Sequence, residues 1–513
     1  MERKWWTLIV VCVATFMLLL DITIVNVALP KIAVDLHSSF SDIQWVIDAY
    51  ALTLASVLLT TGAMADLLGR KLVFTVGVGM FSLASLLCGL SPSSLFLIVA
   101  RGLQGLGGAV MFSTSLALLA QEFHGRDRGT AFGVWGATIG ASAAVGPLLG
   151  GGLTQGFGWQ SIFFINVPVG VLTIALTLAK VAESRDPAGK RVDWVGTVTF
   201  TAALFLLVFA IIRSNVKGWG NPVIVAMLIG AGVLLTAFLI SQVVQPHAMF
   251  DLSLFRKPTF SGVSIAAMAL SAGMFAMFLY LTLYLQTILG FSPLQTGLRF
   301  LPFTVLSFFV AGVGGKLTAT APARLLLFAG LLLTGVGLFL MRGLGANSGW
   351  TALLPGFLVA GAGVGLTNPA LASTAIGVVP PQRSGMASGI NSTFRQLGTA
   401  TGIAVLGAIF ESQLSGKLAP SLAGTPVAHS LGKVAHAIAG GAAPAVLHGV
   451  PAGFRARASV AVHAAFAGAL NDILLVGAVV AVVGAVLALV LVRGQDFAVY
   501  GREGAPEAAV AAG

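Results

Sequence analysis

Long apolar runs, each closed by a short polar stretch, repeat along almost the whole chain. A helix needs about 20 apolar residues to cross a bilayer. Runs of that kind fall near 6–29, 44–65, 72–91, 94–120, 130–155, 162–180, 194–213, 222–242, 260–285, 294–315, 324–341, 351–375, 386–410 and 466–492. The pattern predicts fourteen spanning helices. Strand-like alternation is absent, which excludes a barrel. Helices are then the one remaining way to satisfy backbone groups in lipid.

Composition sharpens this picture. Of 513 residues, 57% are hydrophobic and 9% charged, whereas soluble domains average about 25% charged. The expected class is an all-α integral membrane protein. The first run follows Met1-Glu2-Arg3-Lys4 and is too long for a cleaved leader, so it reads as a retained helix. Cys12 and Cys88 both fall inside spans and read as core residues rather than a disulfide framework. The net charge of +11 does not imply a nucleic-acid partner, because the positive residues are spread over short loops. With an internal N-terminus, 17 Lys and Arg lie on the inner side and 8 on the outer, with Arg101, Arg299 and Arg395 inside spans. That bias predicts cytoplasmic termini.

The chain also repeats. Gly62-Ala63-Met64 with Arg70-Lys71 returns as Gly315-Lys316-Leu317 with Arg324, an offset of 253. Gly129-Thr130-Ala131-Phe132-Gly133 returns as Gly385-Met386-Ala387-Ser388-Gly389, an offset of 256, and an arginine (Arg128, Arg383) precedes each copy. Spans 1–6 and 9–14 therefore read as homologous six-helix bundles, with spans 7 and 8 inserted between them. The expected divisions are residues 1–180, 181–259, 260–492 with a long outer loop at 411–465, and a tail at 493–513. Paired six-helix halves are a transporter architecture, with the site between them near the membrane midplane.

Asp21 is the one residue charged at neutral pH between Lys4 and Lys31. A carboxylate at membrane depth costs about 2.5–3.5 kcal/mol and is tied to a partner or to water. At 1.5 Å per residue, Asp21 lies about 22–24 Å from the inner surface, while Arg101 and Asp48 lie about 10 and 6 Å in from the outer one. All three occupy the outer half of the bilayer, where an arginine so far inside a helix also needs a partner.

Between spans 2 and 3 runs GAMADLLGRKLVF, with Gly62, Asp66, Gly69, Arg70 and Lys71. This resembles the loop signature of the major facilitator superfamily, where the acid and basic residues form a latch for one alternating state. The second-half copy has Ala319 and Pro322 in place of Asp66 and Gly69, so the latch is expected in the first half alone. Arg101-Gly102-Leu103-Gln104-Gly105-Leu106-Gly107-Gly108 resembles the span-4 motif of the superfamily, whose arginine is implicated in proton coupling. Span 5 carries Gly140, Gly146, Pro147, Gly150 and Gly151 and resembles the antiporter motif of proton-driven exporters. LDITIVNVALP at Leu20–Pro30, Gln44–Tyr50 and Trp159–Pro168 resemble the fourteen-span drug:proton antiporter family, with Gln160 where Arg is usual.

In span 13, Asn391, Arg395 and Gln396 add polarity, and Asp472 of span 14 reads as a partner for Arg395 or as a second titrating site. Met268, Met274, Phe275, Met277 and Phe278 form an apolar stripe in span 9, suited to packing, to lipid or to a pocket wall. The segment Ser412–Ala465 is rich in Ala, Gly, Pro and Ser and reads as a linker. Its His429, His436, His448 and His463 fit no compact metal-ligand spacing. There is no Gly-x-x-x-x-Gly-Lys-Ser/Thr loop for phosphates.

The resemblance implies a major facilitator fold with fourteen transmembrane helices, two six-helix bundles plus two inserted helices. It implies a multi-pass protein of the bacterial plasma membrane, not an enzyme, that exports lipophilic drugs or toxic compounds, cationic or not, against protons by alternating access. The alternatives are an exporter dedicated to one natural product or metabolite, and a proton symporter of the same fold. Proton coupling is expected at Asp21, Asp48 and Arg101, and substrate binding at Asn26, Gln104, Asn391 and Arg395. The partners expected are protons, small lipophilic substrates and lipids. A monomer with no cofactor, metal or nucleic acid is expected.

Overall fold

In the computed structural model the described residues are 2–38, 40–123, 125–185, 193–245, 250–380, 383–422, 431–439, 441, 443–448 and 452–497; some helical side chains inside these ranges, Asn26 and Pro147 among them, lie outside the description. The chain is helical, and no strand occurs among the described residues. The helices of the first bundle are α1 Arg3–Asp35, α2 Phe40–Leu68, α3 Arg70–Gly89, α4 Ser94–Glu122, α5 Gly125–Phe157 and α6 Ser161–Lys180. Between the bundles lie α7 Trp194–Lys217 and α8 Pro222–Val244. The second bundle comprises α9 Pro258–Ile288, α10 Pro293–Leu317, α11 Ala323–Leu340, α12 Leu354–Gly377, α13 Ser384–Leu422 and α14 Ala452–Leu491.

Thirteen helical stretches among the described residues are long and apolar enough to cross a membrane. The fourteenth expected crossing is α5, a continuous helix of 33 residues rich in glycine. The face at which α1 begins is called here the near face and the opposite one the far face. α9 contains two π segments, Ser271–Phe275 and Tyr284–Ile288, each of which inserts an extra residue into the helical ladder. Capping follows sequence at several ends. Asn221 accepts from Val223 N at 3.0 Å ahead of Pro222, and Ser292 and Gln295 form a reciprocal capping box ahead of α10.

Two helix pairs dominate the join between the halves, α5 along α10 and α2 along α13, with smaller contacts of α4 on α13 and α5 on α12. They touch most closely at the near face. A Cβ on Gly62 would lie 2.5 Å from the Gly385 carbonyl oxygen, and one on Gly129 would lie 2.1 Å from that of Gly315. The repeated glycine motifs are therefore the contact points themselves, where backbones approach too closely for any side chain. The inserted α7 and α8 pack on each other, and α7 covers α2 and α13.

The segment 411–465 differs from its expected form as a linker. α13 continues twelve residues past Phe410, to Leu422, and α14 starts at Ala452. Short helices Leu431–Ala439 and Ala443–His448 lie between them. Glu411–Leu422 and Ala452–Ala465 carry enough polar residues to break an apolar run, yet helix formation needs no lipid where neighbouring helices supply the packing. Asp472 is also corrected. It pairs with Lys417 at 2.9 Å, both about a third exposed, and not with Arg395.

Candidate functional site

Asp21 lies in the middle of α1 among the helices of the first bundle and is 1% exposed. Arg101 of α4, also 1% exposed, donates from Nη1 to Asp21 Oδ2. One turn further along α4, Gln104 donates from Nε2 to Asp21 Oδ1 at 2.9 Å. Asn166 of α6 donates to the same oxygen at 3.2 Å. Every partner named here donates to the acid, the pattern an ionised carboxylate takes.

Other groups hold the donors in place. Gln104 Oε1 accepts from Arg101 Nη1 at 2.7 Å, which fixes its amide so that the NH₂ faces Asp21. Ser85 of α3 accepts from Gln104 at 3.0 Å and from Asn166 at 2.9 Å, and donates to the Phe163 carbonyl at 3.1 Å. Arg101 Nε donates to the Val46 carbonyl at 3.1 Å, and its guanidinium sits 4.2 Å from the ring centroid of Tyr50. A buried ion pair survives only where further hydrogen bonds satisfy the remaining donors and acceptors, and this nest meets that condition. Five helices, α1, α2, α3, α4 and α6, contribute to it.

The expected pairing of Asp21 with Arg101 is therefore present. Asp48 does not join them. Val46 and Tyr50 face Arg101, and Asp48, two residues from each, sits on the opposite side of α2, where Arg213 of α7 acts on it. Gln104 is a member of the buried nest and not a wall of a space between the halves. Asn26, expected as a substrate contact, has its side chain outside the described residues. Arg395 donates to Asn368 Oδ1 of α12 at 2.7 Å and lies 5.9 Å from the Phe275 ring. Asn391 is buried with its Nδ2 unpartnered.

The latch residues assemble as the sequence pattern suggests. Asp66 Oδ1 accepts from Arg70 Nε at 2.9 Å and Nη2 at 2.8 Å. The same carboxylate crosses to the second half, accepting from Gly385 N at 3.0 Å and Met386 N at 2.9 Å at the start of α13. Negative charge at a helix N-terminus is favourable because free amides and the helix dipole both point there. Gly69 has φ +114°, a conformation that excludes side chains, and Lys71 Nζ donates to the Leu178 carbonyl at 2.9 Å. Glu183, which sequence reasoning missed, accepts from Lys71 N and Leu72 N, each at 3.0 Å.

In the antiporter segment, Gly146 lets α5 press on α1, since a Cβ there would lie 1.9 Å from Thr23 Oγ1. Gly140 faces Ser307 of α10, Gly151 faces Leu294, and Gly150 is buried. Pro147 lies within the unbroken helix. Among the described residues no group of three or more His, Cys, Asp or Glu comes together.

The Major Facilitator Superfamily model matches residues 11–403. The chain belongs to that family. It is similar to the multidrug resistance protein Stp of Mycobacterium tuberculosis, 36% identical over 417 residues covering 81% of this chain and 78% of the relative. It is also similar to the tetracenomycin C resistance and export protein of Streptomyces glaucescens, 34% identical over 80% of this chain and 77% of the relative. Among solved structures, the human organic anion transporter MFSD10 aligns with a TM-score of 0.60 at 16% identity, covering 94% of this chain and 100% of that one. That likeness concerns the fold.

Proposed function

We propose that this major facilitator exports lipophilic drugs or toxic compounds, cationic or not, across the bacterial plasma membrane, with both termini in the cytoplasm, as a monomer driven by inward proton flow. The observation that carries the reading is the Asp21–Arg101 pair. An acid shut away from water, held by one arginine and two amides, gains or loses a proton only if those donors move. Proton occupancy and helix arrangement are thereby linked, which is what antiport requires. Fixed dipoles and a counter-charge offset the cost of the ion in low dielectric. Protonation removes the charge that Arg101 neutralises, so the protonated nest favours a different packing of α1 against α4. Alternating access then follows from a change in which face of the two bundles is closed. The drug-resistance names of the relatives support efflux as the direction, and the glycines of α5 support antiport over symport.

A second reading is favoured by one comparison. The Streptomyces glaucescens relative is named for the export of a single compound, so a substrate set narrowed to one natural product suits this chain as well. Transport of a dye panel against that of individual natural products separates the two.

The test of coupling is Asp21→Asn in proteoliposomes. Efflux driven by a proton gradient is expected to vanish, while substrate counterflow, which needs no net proton movement, persists. Persisting counterflow shows that the variant is folded. Undiminished proton-driven efflux by this variant would remove Asp21 from the mechanism.

A further inference from the structure

The two halves meet at the near face through matching glycine contacts, but only one of the two junctions has an acid. Asp66 and Arg70 stand in the first junction. Offset by 253, the corresponding positions are Ala319 and Ala323. Both members of the buried ion pair are thus replaced by methyl groups, and a void is the physical consequence. Two adjoining cavities occupy that place, of about 510 and 260 Å³, sharing Thr318, Ser373 and Phe497 as walls. Ala323 lines the larger and Ala319 the smaller.

The charge left around the void is positive. Arg324, at the position of Lys71, lines the larger cavity, and Arg128, at the start of α5, lines the smaller. Among the described residues no Asp or Glu lines either one. The nearest acids by sequence are engaged elsewhere, Asp127 with Lys4 at 2.9 Å and Asp496 with Thr259 N at 3.1 Å. Two polar atoms at the site also lack partners: Arg128 Nε, and Oγ1 of the 1%-exposed Thr374. In the first junction Asp66 caps α13. In the second, α5 starts three residues earlier than the match to α13 would place it, and Arg128 lines the cavity there.

The geometry points to an anion site here, in which a phosphate group takes the position of the missing carboxylate and closes the second junction from outside the chain. The larger cavity, about 510 Å³, lies within the roughly 300–1,000 Å³ of small-molecule sites. The headgroup of an anionic phospholipid in the adjoining leaflet and free phosphate share that chemistry. The site is independent of what the transporter exports.

The experiment compares wild type, the Arg128→Gln/Arg324→Gln double variant and Ala319→Asp, each as the full chain. Lipid retention is read by native mass spectrometry after purification from phosphatidylcholine nanodiscs with or without phosphatidylglycerol. A parallel arm follows the thermal midpoint in phosphatidylcholine alone with added inorganic phosphate. Each arginine contributes about five-fold to anion affinity near a membrane surface, so the double variant is expected to bind phosphatidylglycerol roughly 25-fold more weakly. Ala319→Asp supplies the acid internally and is expected to lose retention while raising the thermal midpoint. A phosphate-dependent midpoint in wild type alone, without lipid retention, makes free phosphate the source and still supports the site. Equal lipid retention by all three proteins with no phosphate response overturns it. If the double variant does not fold, Ala319→Asp decides alone.

Discussion

Gly129→Ala is a small substitution with a large expected effect. Its Cβ would lie 2.1 Å from the Gly315 carbonyl oxygen and 2.9 Å from Thr318 Oγ1. Ordinary contact begins at 3.4 Å, so α5 and α10 must part by about 1.3 Å at the near face. Neither side can yield by a rotamer change, because the obstructing atom belongs to helix backbone. Overpacking of this kind costs about 1–3 kcal/mol, and that cost falls on the near-closed arrangement alone. The population ratio then shifts by roughly 5- to 150-fold toward the arrangement open at that face. Spin labels at Leu68 of α2 and Leu317 of α10, exposed residues at the near ends of opposite halves, report the change after Cys12 and Cys88 are replaced by alanine. The distance distribution is expected to move to longer values in Gly129→Ala. Gly152→Ala lies on the same helix with nothing within 4 Å of the new Cβ, and is expected to leave the distribution unchanged. Identical distributions for wild type and Gly129→Ala would refute the account of this contact as the closing surface.

Asp66→Asn keeps the side chain's size but loses the charge that joins Arg70 to the α13 amides. It is expected to lengthen the same label distance, and to combine with Gly129→Ala less than additively because both act on one closure. Glu183→Ala uncaps the start of α3, removing bonds to Lys71 N and Leu72 N. Chemical unfolding should show a loss of about 0.5–2 kcal/mol. Asp472→Asn breaks only a partly solvated ion pair with Lys417, for which less than about 1 kcal/mol and unchanged efflux are expected. Loss of coupled efflux would instead restore Asp472 as a titrating site.

The spans were legible because lipid imposes one requirement on every residue that faces it. The helix ends were less so. α1 extends from Arg3 to Asp35, and α13 and α14 run to 39 and 40 residues, since helices continue wherever packing persists beyond the apolar layer. Depth counting placed Asp21 and Arg101 together correctly because each charge needs a partner and both lie at the same height. Depth cannot report which side of a helix a residue occupies, and this is why Asp48, at a similar depth, stood in the same group. Ser85 and Asn166 escaped notice because a lone serine or asparagine is unremarkable in sequence. The signal available was Asn166 at membrane depth, where an amide also demands partners. Glu183 acts through two backbone amides more than a hundred residues away, which no local pattern records.

Under the proposed coupling, the position of Asp21 constrains how a proton would move the halves. Among the described residues, the side chains bonded to Asp21 all belong to its own bundle, so it acts on the second half indirectly. Of the neighbours of α1 that also reach the second half, α5 packs along α1 most extensively, ahead of α4 and α2. Gly146 of α5 presses against Thr23, two residues from Asp21, and Gly140 and Gly129 of the same helix face Ser307 and Gly315 of α10. A shift of α1 that accompanies release of Arg101 would therefore meet α5 at a contact where α5 has no side chain to absorb it. Rigid packing passes such a shift on, because close-packed interiors change between discrete arrangements and do not deform smoothly. On this argument the glycines of α5 are the mechanical link between proton and closure, and their spacing follows from the two helices they must touch at once.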